Sequence, residues 1–221
     1  MKKAKFKVWR YDPESGLKPK LTAYEVPYED GDTVLQALLN IHENQEPIAF
    51  RYGCRFKKCG LCAVEVNGRP RLACRTYLKD GITVRPLRAL PNIRDLVVDR
   101  DPAFANLTAL QVWLGAEHGP AGLPRMEEPV EHQRLMACNE CLGCLSTCPS
   151  YHSDDPSCGG PFQFVKLAQM HFHPLDRQDR PAQARSLSLD RCASCLKCNC
   201  LLGIPIVKMA ILPLLEGARR T

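Results

Sequence analysis

The chain has 221 residues, 13 of them cysteine, and a formal net charge of +6 from 30 Lys and Arg against 24 Asp and Glu. This excludes a disulfide-dense secreted scaffold, which carries more cysteine in a shorter chain, and disfavours nucleic-acid binding, because the basic residues are scattered. Lys2, Lys3, Lys5 and Lys7 are followed by no apolar leader core, so the expected compartment is a reducing cytosol where thiols stay free or bind metal.

Residues 1 to about 90 read as mostly β. Phe6, Val8 and Trp9 lie in a first strand, Asp12-Pro13-Glu14-Ser15-Gly16 is a turn, and a second strand follows over 20–27. Asp32 is placed as the N-cap of a helix over 33–42, whose stripe is Val34, Leu38 and Ile41 flanked by Leu35 and Leu39. A hairpin runs from Cys62 to Val66, turns at Asn67-Gly68 and returns from Arg71 to Cys74; Ile82-Thr83-Val84 is a last strand. Two hairpins around one helix predict a small α+β sheet domain. Charge and proline between Pro91 and Asp101 read as a linker.

The second half reads as helical over 104–114, 129–136 and 162–172, with a loop over 115–129. Its most apolar stretch, Cys200 to Leu215, carries Lys208, is broken at Pro205 and Pro213, and is too short for the ~20 residues a bilayer span needs. A role in covering a partner or touching a membrane surface stays open.

Twelve cysteines fall into three groups. Cys54-x4-Cys59-x2-Cys62, with Cys74 beyond the hairpin, is the plant-type [2Fe–2S] spacing. Such a loop aims thiolates inward while its amides turn to the sulfides, and Gly53 and Gly60 allow the backbone angles required. A zinc site could use the same thiolates, but zinc favours paired C-x2-C knuckles. Cys138-x2-Cys141-x2-Cys144-x3-Cys148-Pro149 is the bacterial ferredoxin run, in which three cysteines serve one [4Fe–4S] cube and the fourth serves another. Cys192-x2-Cys195-x2-Cys198-x1-Cys200 is a second run with a shortened tail. Cross-ligation gives one [4Fe–4S] cube to Cys138, Cys141, Cys144 and Cys200, and the second to Cys148, Cys192, Cys195 and Cys198. Cys158 is left over and reads as a small buried side chain.

In this order and spacing the groups resemble the iron–sulfur subunit of the succinate dehydrogenase/fumarate reductase family, over essentially the whole chain. Arg55, Cys59-Gly60-Leu61-Cys62, Cys148-Pro149-Ser150-Tyr151, Gly160-Pro161 and Gly203-Ile204-Pro205 carry the likeness. The resemblance implies an α+β fold, with a β-grasp [2Fe–2S] ferredoxin-like domain over 1–95 and an α-helical ferredoxin-like domain with two further clusters over 96–221. It implies an electron-transfer subunit of an oxidoreductase complex, working between a flavoprotein subunit that carries FAD and a membrane anchor that binds quinone. The chain would be cytoplasmic, or peripheral on the inner face of the membrane through its partners.

Three positions depart from that family. Most members lack the middle cysteine of the third group and hold a terminal [3Fe–4S] cluster, whereas Cys195 predicts a complete [4Fe–4S] cube. Members carry a tryptophan five residues after the cysteine that precedes proline, and a histidine directly after the first cysteine of the third group. This chain has Ser153 and Ala193 there. The family's quinone pocket therefore does not carry over. The alternative is a wire for another flavoprotein oxidoreductase, acting on another acid or an acyl thioester, with a soluble or heterodisulfide-reductase-like electron partner. A zinc-stabilised interaction module is the alternative outside redox chemistry.

No G-x-G-x-x-G fingerprint or P-loop is present, so neither nucleotide nor flavin is expected on the chain, and no acid–base or nucleophile constellation marks a substrate-conversion site. Trp9 and Trp113 read as core. His171 and His173 read as surface or interface residues that share no helix face, and His42, His118, His132 and His152 carry no supporting pattern. Lys57 and Lys58, inside the first cysteine loop, suit either a negative partner surface or solvent. An oxidised cluster core on four thiolates carries about −2, so three of them would offset the basic excess.

Overall fold

Strict alternation makes the first strand. β1 (Lys2–Arg10) buries Ala4, Phe6 and Val8 and turns Lys3, Lys5 and Lys7 to solvent. It pairs antiparallel along its whole length with β2 (Lys20–Tyr28), from Lys2↔Tyr28 to Arg10↔Lys20. Asn67-Gly68 turns β3 (Ala63–Val66) into β4 (Arg69–Leu72), with both residues at positive φ as a tight hairpin requires. β5 (Ile82–Arg85) closes the sheet, parallel to β1 and antiparallel to β3, in the order β2-β1-β5-β3-β4. α1 (Val34–Asn44) buries Val34, Leu35, Ala37, Leu38 and Ile41, a stripe worth ~1.5–3 kcal/mol for each large side chain. The fold is the expected α+β class: an N-terminal sheet with one helix, then a helical part.

The computed structural model describes residues 2–115 and 127–219. Most of the loop expected over 115–129, and His118, lie outside them. Two compact units are present: Met1–Arg100 with Asn139–Thr147, and Asp101–Cys138 with Cys148–Thr221.

Several local expectations are corrected. Thr33, not Asp32, caps α1: its side chain accepts the Gln36 N–H, and the Gln36 side chain returns to the Thr33 N–H at 2.9 Å, a reciprocal capping box. Asp32 braces that box through Gln36 Nε2 at 2.7 Å. The segment read as a linker folds as β6 (Asn92–Arg94) and β7 (Val97–Val98). Asp95 at their turn is 4% exposed, and its carboxylate accepts from Arg10 Nε at 2.9 Å and from the N–H groups of Tyr11 and Ala49 at 3.0 and 2.8 Å. A charge that composition assigns to solvent is thus an internal fastener. The core reading is met for neither tryptophan: Trp9 is half-buried and donates to Asn92, and Trp113 is 51% exposed.

In the second unit, α2 (Asp101–Ala109) and α3 (Val130–Leu135) accompany α4 (Pro161–His171), which is buried nearly all round. α2 covers less than the stretch expected over 104–114. Pro161 opens α4 where its missing N–H costs nothing. Two buried glutamines serve backbone carbonyls: Gln163 Nε2 donates to Ala103 at 3.0 Å and Gln169 Nε2 to Leu135 at 2.8 Å. α5 (Arg180–Ser186) follows, and the chain ends in a π-helical turn over Val207–Ile211 that runs into α6 (Leu212–Arg219). Pro213 does not break this helix. Leu212 N–H reaches back five residues to Val207, and the widened turn absorbs the bond and the space that proline denies a regular helix. Among the described residues no helix is long and apolar enough to cross a membrane.

Arg180 is 0% exposed, paired with Asp176 at 2.8 Å, and donates to the carbonyls of Leu110 and Gln111 at 3.0 and 3.2 Å. Arg180→Met strands the Asp176 carboxylate and removes the Arg180 donor from Gln111 O, while Leu110 O keeps Gln183 Nε2 at 3.2 Å. Denaturant unfolding should show a loss of ~3–5 kcal/mol, most of it recovered when Asp176→Leu is added.

Candidate metal centres

The first group of thiols sits where α1 has ended and β3 has not begun. Cys54 Sγ accepts three backbone N–H groups, from Phe56 and Lys58 at 3.2 Å and from Cys59 at 3.3 Å, and Cys59 Sγ accepts the Cys54 N–H at 3.4 Å. Arg55 and Lys57 adopt positive φ, 55° and 65°, which aims successive amides at one sulfur. Those amides, Phe56 first, bring the Cys54 thiol down to about 7. Gly60 lies at φ +69°, and a Cβ there would stand 2.5 Å from the Asn139 carbonyl and 3.0 Å from Cys141. No other residue fits.

The hairpin brings in the fourth thiol. β3 and β4 pair from Ala63↔Leu72, and the ladder continues with Ala73 N–H donating to Cys62 O at 2.9 Å, so Cys74 on the following turn lies by Cys62. Val34 N–H to Thr76 O at 2.8 Å pins that turn to the start of α1. Cys62 and Cys74 are buried, and burial, with Cys74 and Cys59 nearby, pushes the Cys62 thiol up to about 12. All four cysteines of the group converge.

The third group behaves likewise in the second unit. Burial pushes Cys192 up to about 12 and Cys198 to about 11; Cys148 and Cys195 add to both, and Cys198 adds to Cys192. Cys148 is also raised by burial, against the N–H groups of Ser150 and Tyr151, with Cys195 adding to the rise. Cys148, Cys192, Cys195 and Cys198 therefore share one electrostatic neighbourhood. Cys158 joins it: the side chain is 1% exposed, its thiol donates to Ser150 O, and Arg191 Nη1 reaches its sulfur at 3.5 Å. The expected burial of Cys158 is met. Ala193 is exposed and Ser153 half-buried.

In the remaining set, Cys141 and Cys144 belong to the first unit, Cys138 and Cys200 to the second. Glu140 and Leu142 in this run, and Leu196 in the third group, hold positive φ of 56°, 61° and 45°. Each is a non-glycine residue in a conformation that costs free energy, placed where a loop must turn consecutive cysteines to one side. Cys200 Sγ accepts the Leu202 N–H at 3.3 Å.

The donor chemistry fits iron–sulfur clusters. Thiolates converge, amides point at sulfur, and burial opposes ionisation unless iron supplies positive charge. Among the described residues no three His, Cys, Asp or Glu side chains close up into a site for a single metal ion; a cluster places iron and sulfide between its thiolates. Sequence reasoning missed Asn139, whose Nδ2 donates to Lys57 O at 3.1 Å, and Arg100, whose Nη2 donates to Glu140 O at 2.7 Å. Neither belongs to a motif.

Over residues 5–105 the chain matches the 2Fe–2S iron–sulfur cluster binding domain, so fold and site define an iron–sulfur protein. It is 31% identical over 201 residues to the fumarate reductase iron–sulfur subunit of Haemophilus influenzae, covering 82% of this chain and 77% of that protein. It matches a chain of the Mycobacterium smegmatis Sdh1 complex in the apo form with a TM-score of 0.86 and 31% identity, over 99% of this chain and 96% of that one. The chain belongs to the iron–sulfur subunits of the succinate dehydrogenase/fumarate reductase family. Another relative, a subunit of the fumarate reductase (CoM/CoB) of Methanothermobacter marburgensis, is 34% identical over 193 residues, 87% of this chain and 39% of that protein. The chain spans about 40% of the length of this and two other curated relatives.

Two measurements probe the centres. Gly60→Ala should cost clearly more than Gly16→Ala in denaturant unfolding. Both lie at positive φ, worth ~1–2 kcal/mol, but a Cβ at Gly16 meets nothing within 4 Å. The iron-free chain should lose stability as pH rises from about 9 towards 12. Unfolded thiols ionise there while the raised Cys62, Cys192 and Cys198 stay protonated in the fold, so the unfolded state gains. Urea midpoints at about pH 7 and about pH 10.5 check this; the iron-loaded chain, with thiols already ionised, should show a smaller drop.

Proposed function

We propose that the chain is the electron-transfer subunit of a succinate dehydrogenase/fumarate reductase-type complex, passing electrons between an FAD-containing flavoprotein partner and a quinone or other redox partner. Cys54, Cys59, Cys62 and Cys74 would hold a [2Fe–2S] cluster. Cys138, Cys141, Cys144 and Cys200 would hold one [4Fe–4S] cluster, and Cys148, Cys192, Cys195 and Cys198 a second. The ferredoxin-type domains would cover 1–95 and 96–221. The clusters supply one-electron chemistry when bound. The chain's residues do the rest: thiolates hold iron, the Phe56, Lys58 and Cys59 amides stabilise Cys54 as a thiolate, and buried leucines exclude water. Conversion of the organic substrate belongs to the partner. The subunit works in the cytoplasm, or on the inner face of the membrane through its partners, without nucleic acid.

The observation that supports this reading is the shared neighbourhood of Cys148, Cys192, Cys195 and Cys198, four thiols where most of the family has three. Anaerobically purified protein should lack a stable oxidised [3Fe–4S] signal by EPR, and Cys195→Ser should generate one while losing about one iron per chain. A [3Fe–4S] signal of full intensity in the unaltered protein would overturn the complete cube.

The second reading is a wire for a complex that trades electrons with a soluble or heterodisulfide-reductase-like partner. Ser153, Ala193 and Cys195 favour it, as does likeness to a fumarate reductase whose name carries CoM/CoB. Anaerobic isolation of the native complex separates the two. A flavoprotein with a membrane anchor supports the first; a flavoprotein with soluble partners alone supports the second.

A further inference from the structure

Two arginines that no cysteine motif includes stand in the first unit beside its candidate ligands. Arg100 is half-buried and donates through Nη2 to Glu140 O at 2.7 Å, the carbonyl directly before Cys141. Arg51 donates through Nη1 to Val98 O at 2.8 Å. Both line a cavity of about 20 Å³ together with Gly60, Leu61, Cys141 and Leu142. Burial and the Arg51 charge both oppose the Arg100 cation, while Glu140, Cys141 and Cys59 favour it. Two permanent cations facing one leucine-walled cavity are held there at a cost, which negative charge close by offsets. Thiolate-held clusters on Cys59 and Cys141 carry such charge.

We propose that Arg100, with Arg51 beside it, is the counter-charge that raises the reduction potentials of the clusters held through Cys59 and Cys141. A fixed positive charge favours the state with one more electron, so each cluster accepts its electron at a higher potential than its thiolates alone would allow. The two arginines act through the clusters and touch no substrate, which makes them positioning residues for charge. The inference rests on the cluster assignment proposed above.

The test is an EPR-monitored redox titration of the full chain, purified anaerobically with its iron. Arg100→Gln removes the charge, Arg100→Lys keeps it, and Lys20→Gln removes an exposed charge elsewhere. Arg100→Gln should lower the potential of the [2Fe–2S] and first [4Fe–4S] signals, shifting each reduction equilibrium by about tenfold, ~59 mV for one electron. Arg100→Lys should restore most of the shift and Lys20→Gln should cause none. An iron-replete Arg100→Gln chain that titrates like the unaltered one overturns the proposal, as does Arg100→Lys falling as far as Arg100→Gln. If Arg100→Gln loses iron, Arg51→Gln takes its place: lowered potentials support the proposal and unchanged ones overturn it. Absence of both signals from the unaltered chain refutes the cluster assignment instead, so the two failures are distinct.

Discussion

A thiol binds iron as a thiolate, and burial favours the thiol. The structure is organised around that conflict. To hold clusters as proposed, twelve cysteines in three groups would have to present negative sulfur inside loops that also exclude water, and their own backbone is the nearest source of compensation. The residues at positive φ in the cysteine loops follow from this, since only such turns direct several amides to one side. The strands and helices around them supply rigid walls and the long-range closures that deliver the fourth thiol of a set.

The groups resolve the conflict differently. In the first loop, amides crowd on exposed Cys54 and bring its thiol down to about 7, while its partner Cys62 is pushed up. In the set formed by Cys148 with the third group, burial leads at Cys148, Cys192 and Cys198 alike. On the cluster assignment proposed above, the first loop would offer a thiol already lowered toward neutral pH, whereas the buried set would give up its protons as iron binds. Cys158, sealed beside that third set with Arg191 against its sulfur, keeps one more polarisable group there without extending a motif.

Local chemistry was legible in the sequence where it is local in space. The alternation of Ala4, Phe6 and Val8, the Asn67-Gly68 hairpin and the cysteine spacings each need only neighbouring residues to be read. Thr33 was legible too, given Gln36 three residues on, but Asp32 is as good a cap by type. Legibility ended where distant groups decide. Asp95 reads as a solvated linker charge because its donors, Arg10, Tyr11 and Ala49, are far away in the chain. Pro213 reads as a breaker because a π-turn leaves no signature in composition. Arg100 reads as one charge among several until Glu140 and Arg51 meet it in the fold.

The order in which the chain is made has a consequence for the first unit. Leu142 and Leu145, 2% and 0% exposed, belong to that unit although they follow Arg100 by more than forty residues. On a ribosome adding ~5–20 residues per second, the sheet is complete some seconds before these leucines emerge. During that interval Gly60 and the wall around Arg51 and Arg100 have no Asn139–Thr147 segment against them. A nascent chain that has passed Arg100 still carries an open apolar flank, so the sheet is expected to need a chaperone or fast elongation until Thr147 has left the exit tunnel.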